Sequence, residues 1–223
     1  MKSVELKTSL LLYAVTDRAW LGKNFCCETL SDAVFQAIEG GATLIQLREK
    51  ELSEKEFLDE AFSIKEICAS KKIPLIINDN VKIAKETDAC GVHIGQSDME
   101  LKEARKILGA EKIIGVSCQT VEQALQAEKN GADYLGVGAI FSTSTKADAD
   151  NVSISTLKEI CRAVKIPVVA IGGISLQNMS QLKGSGIAGV SVISAIFAQQ
   201  DICSSTKELK SSAEKLFPSF IDC

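Results

Sequence analysis

A chain of 223 residues, 46% apolar and 24% charged, has room for one large domain and is too apolar for disorder. A net charge of −4 and a pI near 5.2 exclude a dedicated nucleic-acid binder, which needs a basic surface. No apolar run approaches the ~20 residues of a membrane span. Eight cysteines without a C-x-x-C pair, beside the single His93, fit free thiols of a cytoplasmic protein rather than disulfides or a zinc set.

Short apolar runs alternate with longer amphipathic segments. The runs are 10–15, 44–47, 75–77, 92–94, 113–116, 134–137, 168–171 and 189–193. The first is too short for a signal segment, since Asp17-Arg18 follow it at once. Most runs are apolar on both faces, the pattern of buried parallel strands. Between them, residues 53–70 carry Phe57, Phe62, Ile64, Ile67 and Cys68 at helical spacing, and residues 120–130 open on a Thr cap.

A weak internal repeat organises the chain. Gly41-Ala42, Ile73-Pro74 and Cys90-Gly91-Val92 return in the same order as Gly131-Ala132, Ile166-Pro167 and Ala188-Gly189-Val190. Two halves of four βα units each predict an α/β fold, a (β/α)8 TIM barrel, as one domain over 1–223. A doubly wound open sheet is the alternative. Its Gly-rich turn after the first strand is missing, because Thr16-Asp17-Arg18 stands there.

In a barrel, chemistry sits on the loops after the strands. After the second strand, alternation puts Gln46, Arg48 and Lys50 on one face, which suits phosphate or diphosphate or makes a solvated charge cluster. Asn78-Asp79 follows the third strand and Asp98 the fourth. They read either as caps and turns or as two carboxylates for Mg²⁺ beside phosphates. His93 lies within a strand and reads as a buried structural histidine. Ser117 ends the fifth strand, with Cys118 beside it as a packing residue. The sixth is followed by the hydroxyl-rich run to Thr143-Ser144-Thr145-Lys146, a lid or a plain polar loop. Gly172-Gly173 and Ser194 follow the last two strands, where barrels often bind phosphate through backbone N–H groups. The pattern thus suggests two anion sites in one mouth.

In this order the motifs closely resemble those of the thiamine-phosphate synthase (thiamine-phosphate pyrophosphorylase) family. The resemblance runs from Leu12-Tyr13-Ala14-Val15-Thr16-Asp17 to Val192-Ile193-Ser194-Ala195-Ile196. It implies a transferase that joins hydroxymethylpyrimidine diphosphate to a thiazole phosphate, giving thiamine phosphate and diphosphate. The resemblance assigns the whole run Gln46, Leu47, Arg48, Glu49 and Lys50, with Asn78, Ser117 and Lys146, to the pyrimidine diphosphate. It makes Arg48, Lys50, Ser117 and Lys146 catalytic. Thr143, Ser144, Thr145, Gly173, Ile193 and Ser194 would hold the thiazole phosphate, and Asp79 and Asp98 the Mg²⁺. Partners would be small molecules, without nucleic acid or membrane, and a homo-oligomer is compatible with the fold. The family typically has Pro where Ala139 and Ser142 stand here, which loosens that loop. A thiazole tautomerase of the same fold needs no such charged set, and neither does a barrel that only binds thiamine precursors.

Overall fold

The computed structural model describes residues 3–22, 27–142 and 151–217. Eight parallel strands close into a barrel in sequence order: β1 (Leu12–Val15), β2 (Leu44–Leu47), β3 (Leu75–Asn78), β4 (Gly91–Ile94), β5 (Ile113–Cys118), β6 (Tyr134–Val137), β7 (Val168–Ile171) and β8 (Gly189–Val192). The ring closes by β1 on β8, with Tyr13 opposite Ser191. The closed ring removes the open-sheet alternative. The described helices are α1 (Ser3–Ser9), α2 (Leu30–Glu39), α3 (Glu54–Ser70), α4 (Val81–Glu86), α5 (Leu101–Leu108), α6 (Val121–Lys129), α7 (Ile154–Ala163), α8 (Ser194–Phe197) and α9 (Ile202–Leu216).

The runs are apolar throughout because both strand faces are buried. Outward residues such as Ala14, Leu47, Ile77, Val92, Val116, Leu135 and Val190 pack beneath the helices. Inward residues form a separate cluster of Tyr13, Val15, Leu44, Ile76, Ile113, Tyr134 and Val169. Each large side chain so buried contributes roughly 1.5–3 kcal/mol. Helix starts are capped locally. Ser53 and Glu56 form a capping box on α3, while Thr29, Asn80, Thr120, Ser153 and Asp201 cap their helices.

Two expectations are corrected. The first strand begins at Leu12 rather than Leu10, because Leu10 closes the end of α1, its N–H bonding Leu6 O at 3.1 Å. Leu6 and Leu10 then join the inward cluster and stop the lower end of the barrel. Between β7 and β8 there is no α-helix; a 3-10 turn over Met179–Leu182 covers the gap with both of those residues buried.

The internal repeat turns out to mark the strands' lower ends. Gly41 and Gly131 both take positive φ, and the following N–H groups of Ala42 and Ala132 bond back to Ala37 O and Ala127 O at 3.0 Å. The Pro74 and Pro167 carbonyls accept from Ile45 and Leu135, at 3.1 and 2.9 Å. The matching residues are thus the shared turn chemistry of two half-barrels.

Candidate active site

The opposite, C-terminal end of the barrel opens into a cavity of about 560 Å³. Strand alternation brings Gln46, Arg48 and Lys50 to it from β2, as the pattern predicts. Asn78, Asp79 and Asp98 arrive from the ends of β3 and β4, and Ser117 from β5. Gly173, Ile193 and Ser194 line the far side, after β7 and β8. Leu47 and Glu49 are not brought there. Leu47 faces outward under the helices. Glu49 accepts from Arg18 Nε at 2.9 Å, while Arg18 also reaches Glu60 at 2.6 Å. Thr143, Ser144, Thr145 and Lys146 lie outside the described residues.

On the β2–β4 side, charge decides the chemistry. Lys50 Nζ donates to Asp79 Oδ2 at 2.5 Å. Arg48 is half-buried and makes no ion pair among the described residues. Asp98 accepts from Gly95 N–H at 2.7 Å. Its carboxyl is nevertheless pushed above the usual range, first by burial and then by the adjoining Asp79 carboxyl. The Asp98 carboxyl, raised in this way beside Asp79, makes with it a donor pair that suits a hard divalent cation, with phosphate oxygens and water completing its shell. Among the described residues no group of three or more His, Cys, Asp or Glu could hold a metal, so any cation here leans on its ligands.

On the β7–β8 side the backbone decides. Gly173 has φ +60°, and a Cβ there would stand 2.5 Å from Ser142 O. Glycine is therefore required where this loop meets the one after β6. Ile193 precedes the short α8, and Ser194 begins it.

Beneath the cavity runs a polar layer that the sequence did not announce. Gln46 Nε2 donates to Tyr13 Oη. Tyr13 and Tyr134 hydroxyls meet at 2.8 Å, Tyr134 meets His93 Nδ1 at 2.9 Å, and His93 Nε2 meets Ser117 Oγ at 3.0 Å. Inward Gly115 makes this layer possible, since a Cβ on it would come within 2.1 Å of Tyr134 Cζ. His93 is buried and hydrogen-bonded, as expected, yet its ring also borders the cavity. Burial holds the Tyr13 and Tyr134 phenols far above their ordinary pKa. Ser191 Oγ is buried at the cavity with no hydrogen-bond partner among the described residues. Tyr13, Tyr134 and Ser191 read in sequence as ordinary strand residues; only their inward register gives them away. Cys118 is buried, and burial pushes its thiol up to about 12, in keeping with packing.

Comparison with known proteins adds independent support. A chain described as thiamine-phosphate synthase from Ruminiclostridium cellulolyticum is 51% identical over 216 residues, 97% of this chain and 98% of that one. Another of that description from Clostridium beijerinckii is 50% identical over 210 residues, covering 94% and 99%. The solved thiamine phosphate pyrophosphorylase from Pyrococcus furiosus superposes with a TM-score of 0.87 at 36% identity, covering 95% of this chain and 98% of its own. A family model described as thiamine monophosphate synthase matches residues 12–196. With matches spanning nearly the whole chain, this protein belongs to the thiamine monophosphate synthase family.

Proposed function

We propose that this enzyme condenses hydroxymethylpyrimidine diphosphate with a thiazole phosphate, forming thiamine phosphate and releasing diphosphate. The observation that carries the reading is one cavity lined by Arg48, Lys50, Asp79 and Asp98 on one side and by Gly173, Ile193 and Ser194 on the other, in a chain half identical to proteins named for this activity. Arg48 and Lys50 hold the diphosphate, Arg48 as a bidentate donor and Lys50 as a point charge. Lys146, which lies outside the described residues, adds a third cation. Asn78, Gln46 and Ser117 orient the pyrimidine. Gly173, Ile193 and Ser194 present backbone groups to the thiazole phosphate, together with Thr143, Ser144 and Thr145, which are also outside the described residues.

Asp79 and Asp98 fit Mg²⁺, because the two carboxyls adjoin and a cation joining them offsets the charge that Asp79 sets beside Asp98. When bound, that ion supplies neutralisation of the leaving diphosphate. The protein's own cations stabilise the same leaving group as the bond to the pyrimidine methylene breaks. The aminopyrimidine spreads the resulting positive charge, and the thiazole nitrogen attacks that carbon. No strong base or covalent nucleophile is called for. Positioning of the thiazole and exclusion of water supply much of the remaining acceleration. The described cysteines are free thiols, which accords with a cytoplasmic enzyme, and we take the chain as one domain. A thiazole tautomerase would not use the Arg48, Lys50, Asp79 and Asp98 set.

The test is a turnover assay with both substrates and Mg²⁺, following thiamine phosphate and diphosphate, with EDTA as control. Joint formation of both products, lost on chelation, is expected. Absence of product with both substrates saturating would refute the reading.

A further inference from the structure

The polar layer under the cavity has a direction as well as a shape. Gln46 Nε2 can only donate, so Tyr13 Oη accepts from it. A phenol has one proton. If Tyr13 sends its own to Tyr134, then Tyr134 has its proton free for His93 Nδ1. A neutral imidazole that accepts at Nδ1 carries its proton on Nε2, and so donates to Ser117 Oγ. The Ser117 hydroxyl proton is then left for the cavity, while Gln46 offers it Oε1. The opposite order at the Tyr13–Tyr134 contact would leave the Tyr13 proton with no acceptor among the described residues. Turning the Gln46 amide reverses every link together: its NH₂ would face the cavity, and Ser117 would face it as an acceptor.

We propose that Tyr13, Tyr134 and His93 form a polarity relay that couples Gln46 to Ser117, so that one end accepts from the substrate whenever the other donates to it. Tyr13 and Tyr134 are 1% and 0% exposed, so water does not compete for these links. Both phenols stay protonated at any working pH, which keeps each link a single-proton hydrogen bond. Gln46 sits on β2 and Ser117 on β5, both on the cavity wall. The ligand class that such a wall selects is a flat heterocycle bearing an amino donor together with ring-nitrogen acceptors. An aminopyrimidine has both. This substrate match rests on the function proposed above; the coupling itself does not. Tyr134 is a positioning residue, absent from the cavity wall and acting through its two neighbours.

The chain has one histidine, so protein labelled with ¹⁵N-histidine gives one imidazole in its NMR spectrum. The native enzyme should show the Nε2–H tautomer; the Nδ1–H form would overturn the direction argued here. Gln46→Glu replaces the donor with a carboxylate that only accepts. It should move His93 to the Nδ1–H tautomer across three hydrogen bonds, and adding Tyr134→Phe should abolish that switch. An unchanged tautomer in Gln46→Glu would refute the coupling. In kinetics, Tyr134→Phe should raise KM for hydroxymethylpyrimidine diphosphate about tenfold, the scale of one hydrogen bond, with KM for the thiazole phosphate unchanged. Equal changes in both, or none, would reduce Tyr134 to a structural residue. The tautomer measurement needs no turnover, so its outcome is separate from that of the proposed reaction.

Discussion

At the ends of β2, β3 and β4 the cavity wall is made of side chains: Arg48, Lys50, Asp79 and Asp98. At the ends of β7 and β8 the wall runs through Gly173, Ile193 and Ser194, none of them charged, and at Gly173 the backbone itself leaves no room for a side chain. The first wall holds fixed charge and is disarmed by removing atoms. The second turns on the Gly173 backbone and is disarmed by adding them. On the function proposed above, each wall would answer to a different part of the substrate pair.

The most damaging way to break the charged wall is Asp79→Asn. Asn tolerates the left-handed backbone found there at φ +60°, so the change removes charge without adding strain. Turnover should fall by at least about 10²-fold, the scale of losing a principal electrostatic group, and the Mg²⁺ activation curve should shift to higher concentration. Steady-state kinetics with Mg²⁺ titration checks this; near-native values would remove Asp79 from the metal site. Arg48→Lys comes next. It keeps the charge and loses the fork, so kcat/KM for the pyrimidine diphosphate should drop about 10- to 100-fold with KM for the thiazole phosphate held.

The backbone wall is sharpened by Gly173→Ala, which adds a methyl 2.5 Å from Ser142 O on a positive-φ residue. KM for the thiazole phosphate should rise about tenfold, and the strain should cost about 1–2 kcal/mol of stability. If KM for the pyrimidine diphosphate rose equally, the two walls would not be separate. The smallest effect on catalysis belongs to Glu49→Gln, behind the charged wall. Both KM values should stay within about twofold. Tm should fall by about 3–6 °C for a charge-assisted hydrogen bond of roughly 1.5 kcal/mol, read by calorimetry.

The strands were legible because a parallel strand buried on both faces is apolar at every position, which leaves little room for misreading. Leu10 was misplaced for the same reason: an apolar residue plugging a barrel looks like one inside its wall. The missing helix before β8 could not be seen, since Met179 and Leu182 bury their side chains from a short turn as well as from a helix. The charged wall showed in the alternation of Gln46, Arg48 and Lys50. That same alternation sets Leu47 and Glu49 on the other face, and their assignment to the substrate comes from the motif alone. Tyr13 and Tyr134 were invisible as polar residues. Their hydroxyls meet across 121 residues of chain, and nothing local to either reports the other.

The repeated turns lie at the lower end of the barrel, whereas the two walls lie at the upper end and in different halves of the chain. The junction between the halves passes through Gly109, which has open space around its Cα and sits in an exposed bend between α5 and β5. A cut there would separate a piece carrying the charged wall from a piece carrying the backbone wall. It would also sever the contact between Tyr13 and Tyr134, which only reassembly of the two fragments restores. In such a split protein, each fragment would be a half-built receptor for one substrate, and recombination would be reported by the return of a single hydrogen-bonded pair.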